Sequence, residues 1–324
     1  MVWGRLLGFV MAFFAAASIA LALGPLLRRR RKIAYPVLFA GVAAVLGCPL
    51  LVPPWAMGLR FLAAILSVLV AAKMMDYCTY RPRPASREPR YRDYARFLAD
   101  PFVLIFREDR RSPPPALSRA REGVRIVLAL LLILLGAGLL YILIRSGFGR
   151  SSFLADHVAK VLAFGIIIEA FSHLFHAAGR LFGRDAPPVI DWAFLSRTPA
   201  EFWRRYNRLV GSWLHRHVFL TAGGRRKPFR AVLLTFLVSG ILHEYIFDVA
   251  STEFHGYQLV FFLLQGVGVC ASSPLDRWVR SLGILGQTLA RMATGAFVLL
   301  SSVFFFASFD RIMPGFYSAE RWLP

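Results

Sequence analysis

The chain has 324 residues, 57% of them hydrophobic, and a mean hydropathy of +0.56. That is too apolar for a soluble domain, and several runs approach the ~20 residues needed to cross a bilayer. The net charge of +21 would suit a nucleic-acid binder, but the cations lie in the gaps between apolar runs, so membrane topology accounts for them and no nucleic-acid partner is expected. Three widely spaced cysteines (Cys48, Cys78, Cys270), with no CxxC pair, exclude a disulfide framework and a cysteine-based zinc site.

In chain order, Arg5, an apolar run and Ala20-Leu-Ala22 imitate a secretory signal with a small-residue cleavage site. The run Arg28-Arg-Arg-Arg-Lys32 follows at once and resists translocation, so residues 3–27 read as a retained first span. Further spans are predicted near 33–52, 56–75, 124–144, 155–178, 231–249, 257–273 and 284–306. With the N-terminus outside, the gaps 28–32, 76–123, 179–230 and 274–283 fall in the cytoplasm and hold 29 of the 39 Lys and Arg residues, as the positive-inside bias requires. The expected architecture is an all-α polytopic membrane protein, one integral-membrane domain over 1–324, with about eight transmembrane helices plus an interfacial amphipathic helix. In a bacterium its place would be the cytoplasmic (inner) membrane. The basic loop 76–123, with Arg81-Pro-Arg-Pro84 and Pro113-Pro-Pro115, reads as a solvated or surface-lying segment attracted to anionic membrane lipids. No internal repeat is visible, which weighs against a transporter built from two matching halves.

Residues 198–220 are predicted to form one helix that does not span. Thr198 is a good N-cap, Pro199 suits the first helical position, and Glu201 completes a capping box. At 100° per residue Phe202, Tyr206, Leu209, Val210, Trp213, Leu214 and Leu220 share an apolar face, with Arg204, Arg205, Arg208, Ser212, His215 and Arg216 opposite. Asn207 and His217 fall inside the apolar face, where a polar group needs a partner or costs roughly 1–3 kcal/mol. The turn Gly223-Gly224-Arg225-Arg226-Lys227-Pro228 adds cations that either attract phosphates with Arg204, Arg205 and Arg208 or anchor the next span.

His243 lies twelve residues into its span, roughly 18 Å along the helix, behind Ser239 and Gly240 on the same face. An ionisable group at that depth is either functional or hydrogen-bonded to a neighbouring helix. Glu244 points elsewhere, as a structural partner for another group. A second stripe, Glu169, Ser172, His173 and His176, shares one face of the 155–178 span and is expected to face the bundle interior. Without repeated histidine boxes no metal centre is expected. No GxSxG elbow, P-loop or GxGxxG fingerprint is present, so a covalent serine mechanism has no support.

Leu195-Ser-Arg-Thr-Pro-Ala-Glu-Phe-Trp-Arg-Arg-Tyr-Asn-Arg-Leu-Val210, followed by Phe236-Leu-Val-Ser-Gly-Ile-Leu-His-Glu244, resembles the membrane-bound O-acyltransferase superfamily, and within it the wax synthase-like branch. The chain departs from that branch after Phe-Trp, where Arg204-Arg-Tyr206 replaces Gly-Arg-Arg-Trp. The resemblance implies acyl transfer from acyl-CoA, as co-substrate and with no cofactor, to a hydroxyl acceptor, most plausibly a long-chain alcohol. It makes His243 the catalytic histidine and Asn207 its polar companion. Trp203, Arg204, Arg205, Arg208, Ser239 and Glu244 are then substrate-binding candidates, and Glu169, His173, His176 and His217 secondary ones. O-acylation of a polysaccharide or secondary metabolite remains an alternative. So does a proton-coupled transporter whose path uses His243 and the Glu169–His176 stripe.

Overall fold

The computed structural model describes residues 2–81, 89–106, 118–147, 152–184, 187–313 and 315–317. Among them there are helices and no strands. Seven helices are long and apolar enough to cross a membrane, and Tyr257–Ser272 is a shorter apolar helix at the eighth expected position. This is an integral, multi-pass membrane protein. In chain order the helices are α1 (Val2–Leu23), α2 (Arg31–Gly47), α3 (Met57–Thr79), α4 (Tyr91–Ala99), α5 (Arg119–Arg145), α6 (Phe153–Leu181), α7 (Pro199–Arg205), α8 (Arg208–Leu214), α9 (Pro228–Ser251), α10 (Tyr257–Ser272), α11 (Asp276–Ser281) and α12 (Ile284–Ile312).

Two compact units divide the chain. One holds Met1–Arg110 with Ile241–Gly256, the other Arg111–Gly240 with Tyr257–Pro324, so α9 contributes its first half to one unit and its second half to the other.

In the first unit α1, α2 and α3 pack around alanines, Leu38, Val45 and Met74. The first span ends earlier than the sequence suggests. α1 stops at Leu23, and a Cβ on Gly24 would lie 2.6 Å from the Tyr94 ring, so only glycine fits at that turn. α3 runs past the expected end to Thr79 and buries Lys73 and Asp76. Those charges are used. Lys73 Nζ donates to the carbonyls of Phe97 (2.8 Å) and Leu98 (3.2 Å) at the end of α4, where a cation is favoured by the helix dipole. Asp76 accepts from the Phe106 N–H. Tyr94 stacks on Tyr77 at 4.2 Å and donates to the Ala20 carbonyl (3.1 Å). Residues 89–106 are therefore stapled to α1 and α3, where the sequence reading has a solvated or surface-lying loop. Residues 82–88 and 107–117, with most of the Arg-Pro runs, lie outside the described residues.

In the second unit α5 and α6 pair along their length, so closely that a Cβ on Gly136 would meet the Ala163 carbonyl at 3.0 Å. Buried Glu122 clamps the pair by accepting from Arg125 (2.6 Å) and Arg180 (2.7 Å). At the opposite end of α6, Lys160 bonds Asp156 (2.7 Å) and the Phe316 carbonyl, while His157 Nδ1 lies 2.6 Å from the Tyr317 hydroxyl. His157 Nε2 donates to the Leu299 carbonyl (2.8 Å), so Nδ1 is the acceptor and the buried ring is a satisfied core histidine. α12 packs on α10, and α10 on α7.

Candidate active site

The predicted single helix over 198–220 is three pieces. Thr198 caps α7 as expected, its hydroxyl accepting from the Glu201 N–H at 3.1 Å. α7 then ends at Arg205, and Asn207 adopts the left-handed conformation (φ 46°) at the elbow before α8. Residues 215–219 continue as one wide π turn. Asn207 therefore lies on no helix face. Its Oδ1 accepts from the Val210 N–H (3.4 Å) and caps α8.

Backbone bonds from another segment cause the break. The Asp191 N–H donates to the Arg205 carbonyl (3.0 Å) and the Arg208 N–H to the Val189 carbonyl (2.8 Å), drawing off groups that a continuous helix would use internally. Segment 189–192 is itself fixed on α6. Ser172 Oγ accepts from the Ile190 N–H (2.7 Å) and donates to its carbonyl (3.0 Å). Glu169 Oε1 accepts from the N–H of Trp192, another left-handed residue (φ 50°). Part of the α6 stripe thus faces inward as expected, and it holds the backbone that holds Asn207. His173 Nε2 lies 3.7 Å from Glu169 Oε1, too long for a hydrogen bond, and its ring is 5.9 Å from Trp192. His176 is half-buried one turn on. Burial and the nearby Glu169 carboxylate push the Tyr206 phenol up to about 12.

The cations of α7 and α8 are partly committed. Glu201, 4% exposed, accepts from Arg197 (3.1 Å) and Arg205 (2.7 Å). Burial alone would raise its carboxyl, but the hydrogen bonds and charge of Arg197 and the charge of Arg205 outweigh it and hold it at about 2. Arg208 pairs with Asp191 at 3.4 Å, and Arg204 is exposed. A cavity of about 600 Å³ opens beside His215, Phe219, Gly223, Arg225 and Arg226. The His215 ring stacks on Phe219 (5.1 Å), and His217, half-buried on the π turn, packs on Trp213 (4.9 Å).

Trp203 anchors the elbow to the spans. Its Nε1–H donates to Gln265 Oε1 (3.0 Å), and Gln265 Nε2 donates to Ser301 (2.6 Å), joining α7, α10 and α12. Sequence reasoning misses Gln265, although a wholly buried amide inside an apolar run is the same signal that singles out His243. It also misses Trp192, whose backbone conformation has no sequence signature.

On α9, Gly240 gives close packing: a Cβ there would lie 3.3 Å from the Leu259 Cα on α10. Ser239 is buried and His243 half-buried one turn on. Glu244, the expected structural partner, accepts from the Gly256 N–H (2.7 Å) and closes the turn before α10. Beside His243 in sequence, Tyr245 donates to the Leu46 carbonyl, and Phe247 packs on Phe61 (5.1 Å), so α9 is anchored around the histidine.

The model of the MBOAT, membrane-bound O-acyltransferase family, matches residues 61–309. A probable sterol O-acyltransferase 1 of Schizosaccharomyces pombe is 36% identical over 106 residues, 32% of this chain and 18% of that protein. A probable long-chain-alcohol O-fatty-acyltransferase 2 of Arabidopsis thaliana is 28% identical over 171 residues, covering 50% of this chain and 49% of the relative. Sterol O-acyltransferase 2 of Mus musculus is 33% identical over 102 residues, 31% and 18% respectively. The chain thus spans half or less of the length of these curated relatives.

Proposed function

This chain belongs to the membrane-bound O-acyltransferase family, and from that membership we propose that it moves a fatty acyl group from acyl-CoA to a long-chain alcohol, forming a wax ester. The observation that carries the reading is the Asn207 elbow. A polar residue is held left-handed between two short helices by backbone bonds from 189–192, and strained backbone that its surroundings over-determine gathers at functional sites. The long-chain-alcohol relatives support the acceptor class.

In the proposed reaction neutral His243 accepts the acceptor's hydroxyl proton as its oxygen attacks the thioester carbonyl. Asn207 orients the histidine or hydrogen-bonds the oxyanion that develops. The C–O bond forms, the C–S bond breaks, and the proton passes from His243 to the leaving thiolate, giving ester and free CoA. Arg225 and Arg226, on their open cavity, and exposed Arg204 attract the CoA phosphates. Arg205 and Arg208 each neutralise a carboxylate and add to the same basic face.

The sterol O-acyltransferase relatives favour a second reading, with a sterol as acceptor. Purified protein in detergent, given labelled long-chain acyl-CoA and separate fatty alcohols, sterols and glycans, distinguishes these by mass spectrometry of the product. A fatty-alcohol ester is expected. A steryl ester alone transfers the proposal to the second reading, and no ester from any acceptor overturns both.

A further inference from the structure

We propose that the arginine-lined cavity at the start of α2 binds a phosphate group, carried by an anionic phospholipid headgroup or by a soluble phosphate. The cavity measures about 200 Å³ and is lined wholly by residues of the first unit. Arg28, Arg29, Arg31 and Arg81 line it, and none of the described residues lining it is acidic. A phosphate in so small a space would lie within reach of several cationic side chains, and Coulomb attraction favours it there.

The cavity is built in advance of any ligand. Leu27 and Ala34, 1% and 4% exposed, form an apolar floor. Arg28 is half-buried, with its NH1 donating to the Tyr80 carbonyl (2.6 Å) and its head lying 5.7 Å from the centroid of Tyr77 and 5.9 Å from that of Tyr80. Those contacts fix the planar head, so binding loses less side-chain freedom. α2 begins here with no side-chain cap and no acid in its first turn, so the positive end of its dipole adds to the field. The site joins the starts and ends of spans α1, α2 and α3, the depth at which phospholipid headgroups lie. Positive-inside retention explains why such residues are basic, but it does not call for a preformed cavity.

Native mass spectrometry of purified protein in a neutral detergent tests this without any assay of acyl transfer. Wild type, Arg29→Ala/Arg31→Ala and the charge-matched control Arg119→Ala/Arg121→Ala are each delipidated, then offered phosphatidylglycerol, phosphatidylcholine, CoA or inorganic phosphate. Thermal melting checks that all three fold. Both arginine pairs are exposed, and no membrane surface remains to attract them generally. One phosphatidylglycerol is expected on wild type and control, about thirty-fold weaker on Arg29→Ala/Arg31→Ala at roughly fivefold per cation. Binding of CoA or phosphate with the same dependence on Arg29 and Arg31 supports the site and assigns it a soluble ligand. Equal binding by all three proteins, or no binding of any phosphate compound, overturns the proposal.

Discussion

Asn207 has two separable jobs, one in its backbone and one in its side chain. The left-handed conformation costs an ordinary residue roughly 1–2 kcal/mol, which glycine avoids. Asn207→Gly should therefore melt close to wild type and yet lose ester formation, whereas Asn207→Ala should lose both activity and about 1–2 kcal/mol of stability. Full activity in the glycine variant would reduce Asn207 to a helix cap. Glu201 offers a pH test of the same region. Its folded-state pKa is depressed from 4.5 to about 2, so its stabilising effect is complete above about pH 4.5 and drains away as pH falls towards 2. Glu201→Gln should flatten the fall of melting temperature over that window, and an unchanged acid limb would show that the Arg197–Glu201–Arg205 group does not couple to folding.

At the scale of elements, the spans were legible because an apolar run of bilayer length has few alternatives. The segment 198–220 was legible only at its start. Thr198, Pro199 and Glu201 form a local signal, and local signals survive in the structure. The break at Tyr206–Asn207 arises from bonds to residues 189 and 191, which periodicity cannot see, although asparagine's tolerance of the left-handed region was a hint. The same limit hid α4, whose Tyr94 and Phe97 look like part of a basic loop until α1 and α3 are there to receive them. Gln265 joins three elements through one amide. Gln265→Leu leaves the Trp203 indole N–H without its buried acceptor, and a loss of about 1–3 kcal/mol with weakened acyl transfer is expected from melting and turnover. A neutral result would mean that aromatic packing of Trp203 on Phe236 and Phe262 suffices to hold α7.

For the whole molecule, the distribution of cations predicts that the turn around Thr221 faces the cytoplasm and the turn around Phe254, one span later, faces away. Thr221→Cys and Phe254→Cys place thiols at exposed positions for labelling by a membrane-impermeant reagent. Thr221→Cys should react only in inside-out vesicles and Phe254→Cys only in right-side-out ones; the reverse pattern would invert the topology and put the Arg225 cavity on the wrong side for cytoplasmic acyl-CoA. Family membership fixes the reaction class to be tested, while the choice of alcohol depends on the shape of the acceptor site, for which neither the Phe-Trp motif nor the His-Glu motif carries a signature.

His243 is the residue proposed to move the proton in acyl transfer. Purified wild type and His243→Ala, matched by melting temperature and membrane insertion, should be given labelled long-chain acyl-CoA and a fatty alcohol while ester and free CoA are counted together. Wild type should release one CoA per ester, and His243→Ala should be slower by at least about 10²–10⁴-fold, the usual worth of a positioned general base. Undiminished ester formation by the folded variant would remove His243 from that role.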